Sequence, residues 1–138
     1  MAIYGIGAKY NGTDISNEFI KHGIVATGWD DYEAPDIHEY FKALNAGDIV
    51  YLKACSYSSN ITIKGMRIVR NENILDSTHI SELVEIGRNV TWIDKEWMIV
   101  NRPAQQKNNV RGNTIYREFH RDLVNTITKI VDTYYNII

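Results

Sequence analysis

The residues predict an α+β fold in one domain spanning 1–138, and three observations carry that expectation. Strand-like segments follow one another after Gly47 with no room for the helical crossovers that parallel strands need. Asn45 to Arg70 reads as helix end, Gly-Asp turn, strand, polar turn and strand, which is a long hairpin. From Arg117 to Tyr135 the apolar residues Phe119, Leu123, Ile127, Ile130, Val131 and Tyr134 recur every three or four positions. That is one face of an amphipathic closing helix of about five turns.

Taken in order, Met1 to Tyr10 is a first strand whose Gly5 and Gly7 let a neighbouring backbone approach. Gly5-x-Gly7 is not a dinucleotide fingerprint, because no third glycine stands at the right spacing and no acidic ribose ligand follows. Asn11-Gly12 is a turn, and Asp14 or Ser16 caps a short helix that turns Phe19 and Ile20 inwards and stops at His22-Gly23. Ile24 to Trp29 returns as a strand. After the acidic loop 30–35, Pro35 opens a second helix with Ile37, Tyr40, Phe41 and Leu44 along one stripe. Ile49 to Cys55 is β-branched and aromatic, as a pleated, half-buried strand requires. Ser56 to Asn60 is the hairpin turn, and Ile61 to Val69 alternates apolar with polar. Asn71 to His79 reads as a polar connection, and Ile80 to Ile86 fits a short helix or a strand equally. Asn89 to Asp94 is a strand that Trp97 to Val100 continues or pairs with. Pro103 to Asn113 has almost no apolar content and supplies no core. The economical assembly is a small curved sheet or barrel over residues 1–100, a basic loop over 102–113 and the closing helix over 114–136.

At 138 residues, 44% hydrophobic and 23% charged, the chain is large enough to bury its own core. No apolar run approaches the ~20 residues that span a bilayer, and Met1 to Tyr4 lacks a secretory start. A lone Cys55 excludes an internal disulfide and suits a reducing cytoplasm, the expected location. Net charge is -2, unevenly spread: residues 1–50 hold three lysines against eight acids, residues 101–138 six basic residues against three. An acidic protein gains little from the general phosphate attraction that drives duplex binding. Any polyanion is therefore met locally, at Arg102, Lys107, Arg111, Arg117 and Arg121, with Glu118 the single acid from 102 to 121. Solvated surface charge is the alternative reading of those cations.

The strand Ile24-Val25-Ala26-Thr27-Gly28-Trp29, the helix after it, Ala46-Gly47-Asp48-Ile49-Val50-Tyr51-Leu52-Lys53, the strand Ile61 to Val69 and then Asn89-Val90-Thr91-Trp92 stand in a telling order. In order and spacing they resemble the PUA-like superfamily, especially its EVE and YTH branch. The resemblance covers roughly residues 1–100. It implies a curved β-barrel, flanked by helices, around a pocket that holds a flipped or single base, often a modified one, and implies a binder more than a catalyst. The chain departs from the simplest pattern in its basic, Asn- and Gln-rich loop, its long last helix and its net charge.

A base pocket needs an aromatic face, worth roughly 1–3 kcal/mol per base, and fixed donors and acceptors for the base edge. The aromatic candidates are Trp29, Tyr57, Trp92 and Trp97, each of which ordinary packing also explains. Ser56, Ser58 and Asn60 in the hairpin turn and Asn109, Asn113 and Thr114 before the closing helix are candidate polar contacts, as well as ordinary turn and cap residues. Lys107, Arg111 and Arg117 would meet phosphate, helped by the exposed amides that open the closing helix. Tyr116 would stack over the same ligand.

The four histidines are scattered and make no zinc pattern, so neither a metal nor a cofactor is expected. His120-Arg121-Asp122-Leu123 copies the start of a kinase catalytic loop without the other kinase motifs. A Ser58, His79 and Asp94 triad has nothing in the sequence to assemble it. Three functions compete. One is a non-enzymatic module binding a nucleotide or base, modified or not, in DNA or RNA. Another is a stand-alone protein that sequesters a small nucleotide messenger, a cyclic oligonucleotide or an ADP-ribose derivative, for instance to block an immune signal. The third is a small nucleotide-processing enzyme. The Tyr134 to Ile138 tail is apolar enough to close the core or to join a second subunit of a homo-oligomer.

Overall fold

A computed structural model of the chain describes residues 2–7, 9–10, 13–14, 16–29, 32–54, 61–76, 85–94, 98–100, 114–119 and 121–137. Its elements are β1 (Ile3–Gly7), β2 (Lys9–Tyr10), β3 (Thr13–Asp14), α1 (Ser16–His22), β4 (Ile24–Thr27), α2 (Pro35–Ala43), β5 (Ile49–Ala54), β6 (Ile61–Leu75), β7 (Ile86–Asp94), β8 (Met98–Val100), β9 (Ile115–Arg117) and α3 (Arg121–Ile137). The fold is α+β. A mixed seven-stranded sheet runs β4-β7-β6-β5-β1-β9, with β8 on β6 beyond β7, and β2 and β3 form a separate small ladder. β1 and β5 pair in parallel and the other ladders of the large sheet are antiparallel. The sheet is open, with β4 and β9 at its two ends among the described residues. No helix among those residues is long and apolar enough to cross a membrane.

Both faces of the sheet are covered, and the period-two alternation of β1 and β5 divides their side chains between two clusters. Tyr4, Ile6, Val50 and Leu52 join Phe19 from α1, Phe41 of α2 and Leu44 just beyond it. Ile3, Ile49 and Tyr51 join Leu123, Ile127 and Val131, one every four residues along α3. The turn that feeds β5 is held by the buried carboxylate of Asp48, which accepts from Ala2 N at 3.0 Å and Asn45 N at 2.9 Å. Gly23 ends α1 at φ 63, the left-handed conformation that a C-terminal glycine adopts without a Cβ clash.

The structure corrects four boundaries. The first strand stops at Gly7, and Lys9–Tyr10 pairs instead with Thr13–Asp14. β6 runs on to Leu75 through what reads as a polar connection, because a register shift between Val69 and Ile74 absorbs the polar residues while Ile74 and Leu75 still pair with Arg88 and Gly87. The strand expected from Asn89 starts at Ile86, and Met98–Val100 pairs with Ile61–Ile63 of β6. The closing helix begins at Arg121, not 114, since Ile115–Arg117 satisfies its backbone on the free edge of β1. Phe119 therefore falls before the helix and is 74% exposed.

Candidate functional site

The ladders bring several chain ends together at one end of the sheet. Ala54, which closes β5, pairs with Thr62, and Ile61 pairs with Val100. Gly7 pairs with Lys53, and its N–H donates to the Thr114 carbonyl at 2.9 Å. Ala54, Ile61, Val100 and Thr114, the described residues that flank 55–60 and 101–113, therefore lie at the same end of the sheet. Ser56, Tyr57, Ser58, Asn60, Lys107, Asn109, Arg111 and Asn113 belong to those two segments and, with Trp97, lie outside the described residues. Thr114 is the half-buried residue at which the second segment rejoins the sheet.

Beneath this end lies a buried polar group on the face that α3 covers. The Lys53 ammonium, on a side chain largely buried, sits 5.4 Å from the centre of the Tyr116 ring. The Tyr116 hydroxyl is 2.7 Å from that of Tyr51, and Tyr51 donates in turn to Glu118 Oε1 at 2.7 Å. The two rings meet edge to face. Burial first, then the nearby Tyr116 and Glu118, push the Tyr51 phenol far above its ordinary range, so it stays protonated and able to donate. Gly5 makes the arrangement possible: a Cβ there would stand 2.3 Å from the Tyr116 ring.

This placement overturns the expected role of Tyr116. It is 3% exposed and hydrogen-bonded in the interior, because residue 116 is on β9 opposite Gly5 and not on the first turn of a helix. Arg117 does face outwards, with its guanidinium 4.9 Å from the ring centre of Phe119. Trp29 is half exposed, and its carbonyl accepts from His38 Nε2 at 2.6 Å. It follows the end of β4 that pairs with Ile86, near Leu75 on β6, whereas residues 55–60 and 101–113 are rooted at Ile61. Along the strands, Trp29 thus belongs to the opposite end of the sheet. Trp92 is half-buried and already stacked, its ring centre 3.4 Å from Arg67 Cζ.

Two buried arginines escaped the sequence reading. Arg67 and Arg88 are both 0% exposed. Arg88 Nη1 donates to the carbonyls of Phe41, at 2.8 Å, and Leu44, while Nη2 donates to Asn71 O at 2.8 Å and lies 3.6 Å from Glu72 Oε2. It closes the C-terminal end of α2, where carbonyls lack helical partners and a cation suits the helix dipole. Arg67 makes one hydrogen bond, from Nη1 to Ile24 O at 3.1 Å. Burial pulls both guanidinium groups below their ordinary proton affinity, Arg67 the further; Glu72 and Asp48 offset part of that for Arg88. Among the described residues no group of His, Cys, Asp and Glu is placed to hold a metal ion.

No protein-family model matches the chain, and no curated protein matches it. Among solved structures it is similar to the NMR structure of Rpa0253 from Rhodopseudomonas palustris, a structural genomics target. The TM-score is 0.55 at 11% identity over 94% of this chain and 92% of that one. At that identity the likeness speaks to the fold alone.

Proposed function

We propose that the chain is a PUA-like, EVE-type module that binds a nucleotide or a base, modified or not, and does no chemistry on it. The observation that carries this reading is that Ala54, Ile61, Val100 and Thr114, which flank residues 55–60 and 101–113, meet at one end of the sheet. One segment brings Ser56, Tyr57, Ser58 and Asn60, and the other Lys107, Asn109, Arg111 and Asn113. A stacking ring, base-edge donors and cations for phosphate are the three things a nucleotide site requires. Tyr57 supplies the ring on this reading, since Trp29 and Trp92 belong elsewhere.

The charge distribution favours a free nucleotide messenger over a long nucleic acid as the ligand: net charge is -2, and the cations concentrate at 102–121. A single phosphate-bearing molecule needs only that local set, whereas a duplex rewards a broad basic surface. Thermal-shift titration separates the readings. Mononucleotides, cyclic dinucleotides, ADP-ribose derivatives and methylated oligonucleotides are each added to the protein. A ligand at about a hundredfold over its Kd stabilises by roughly 2.7 kcal/mol. The Lys107→Ala, Arg111→Ala double variant is expected to lose that shift and keep the unliganded midpoint. A shift with oligonucleotides only assigns a nucleic-acid reader, and recovery of altered nucleotide replaces binding with catalysis.

A further inference from the structure

Arg67 holds an interior cation whose best donor edge faces no acceptor. Nε and Nη2 form the side-on edge of a guanidinium, which offers two parallel N–H groups to a pair of oxygens. In Arg67 both are buried and without a partner. The indole Nε1 of Trp92 is likewise buried and unpartnered, and the ring that carries it lies flat over the guanidinium, 3.4 Å from Cζ to ring centre. Buried polar groups in proteins nearly always find partners, and charged ones need them most. Arg88 shows what this sheet does with a structural arginine: its Nη atoms meet three carbonyls and a carboxylate, and its Nε alone is buried without a partner. Around Arg67, by contrast, no acidic group among the described residues offsets the effect of burial, and a guanidinium keeps its proton regardless. The charge is thus uncompensated, and its fork is matched to a bidentate anion more than to a neutral acceptor.

We propose that Arg67 and Trp92 form an interior site for a small oxyanion, a phosphate, a sulfate or a phosphate monoester, taken side-on by Nε and Nη2 with the indole N–H as a further donor. Arg67 is fully buried and Trp92, stacked on its face, only half-buried, so the indole is the more exposed member of the pair. The site uses neither residues 55–60 nor 101–113 and stands apart from the nucleotide reading.

The test is thermal melting of the whole protein, titrated with sodium sulfate, sodium phosphate or AMP against sodium chloride at matched ionic strength. The native midpoint is expected to rise and saturate with at least one of the three, and Arg67→Met to lose the saturating part, keeping only the steady rise that sulfate and phosphate give any folded protein. Sulfate and phosphate acting as well as AMP identify a free-anion site; AMP alone identifies a phosphate carried on a nucleotide. Trp92→Phe keeps an aromatic ring over the cation and removes the N–H, and is expected to weaken the apparent affinity roughly tenfold, the loss of one hydrogen bond to a charged group. The same response in native protein and Arg67→Met, or no saturation with any of the three, overturns the proposal. Should Arg67→Met not fold, an unchanged affinity in Trp92→Phe overturns it as well.

Discussion

Two arginines on adjacent strands are equally hidden from solvent and held in opposite ways. Arg88 on β7 closes the end of α2 and ties it to β6, so its charge lies against carbonyls of Phe41, Leu44 and Asn71 and near the carboxylate of Glu72. Arg67 on β6 makes one hydrogen bond and otherwise lies against the faces of Trp92 and Phe19. Burial of a charge is therefore no guide to its role; the use made of its donors is. One region is fastened by its cation, whereas in the other two of the three guanidinium nitrogens stand without a partner.

The same substitution at both positions sharpens that contrast, and the larger effect belongs to Arg88. Arg88→Met leaves carbonyls at the end of α2 and at Asn71 without their donor, which at 1–3 kcal/mol per orphaned buried acceptor, less the relief of desolvating no charge, predicts a loss of about 3–5 kcal/mol. Urea denaturation measures it, and hydrogen exchange should show the amides of α2 losing protection before those of β5. A loss under about 1 kcal/mol would mean that water caps the helix as well as the guanidinium does.

Neither arginine was legible as an interior residue, and the reason is physical. Ile61 to Val69 reads as apolar alternating with polar, and a charged Arg67 in such a strand is taken for a solvent-facing residue. That inference holds for a sheet with one wet face. Here helices cover both, so Arg67 lies under Phe19 and Trp92. A bulge adds to the displacement, with the register shifting between Leu52 and Lys53 against Gly65 and Ile63. The elements themselves were readable where the pattern was long or the turn chemistry strong, as in α2 behind Pro35, the Gly47-Asp48 turn and the four-residue spacing of Leu123, Ile127 and Val131. β9 was hidden because three residues carry too little periodicity to be told from the helix that follows; it exists by virtue of the open edge of β1. The same misreading placed Tyr116 at a ligand. The anchoring of residues 55–60 and 101–113 at a common sheet end depends on which strands pair, and no local pattern encodes that.

An intermediate effect is expected on the face that α3 covers, where Tyr51, Tyr116 and Glu118 are joined by hydrogen bonds. Tyr51→Phe removes the donor to Glu118 and the partner of Tyr116, for a loss of about 1–3 kcal/mol at neutral pH. It also changes the response to alkali. The folded state holds the Tyr51 proton well above the pH at which the unfolded chain releases it, so this group's contribution is intact below the ordinary phenol range near 10. Above that, stability falls as pH rises, by about 1.4 kcal/mol per pH unit for each such proton. Tyr4 is shifted the same way, by burial first, so native protein should lose stability more steeply between pH 10 and 11.5 than Tyr51→Phe, which retains the Tyr4 part but not that of Tyr51. Parallel slopes in urea melts across that range would show that Tyr51 ionises freely and that its hydroxyl is not the interior donor described above.

The smallest change is expected where a charge is most deeply buried, in Arg67→Met measured in chloride buffer. The variant gives up one hydrogen bond, Nη1 to Ile24 O at 3.1 Å, and a cation stacked on Trp92, losses of about 1.5–3 and up to about 2 kcal/mol when taken alone. Against them stands the removal of an uncompensated interior charge, and exchanging buried ionic groups for apolar ones of similar size is often neutral or stabilising by about 1–4 kcal/mol. The opposing contributions are of equal order, so the net effect should fall within about 1 kcal/mol of native stability. Methionine also suits the site by shape, being unbranched and able to lie along the indole as the arginine stem does. A loss as large as that of Arg88→Met would show that the Ile24 contact fastens β4 to β6 as firmly as Arg88 fastens α2. The two arginines would then be structural pins of one kind, and the unpartnered edge of Arg67 merely a tolerated flaw in packing.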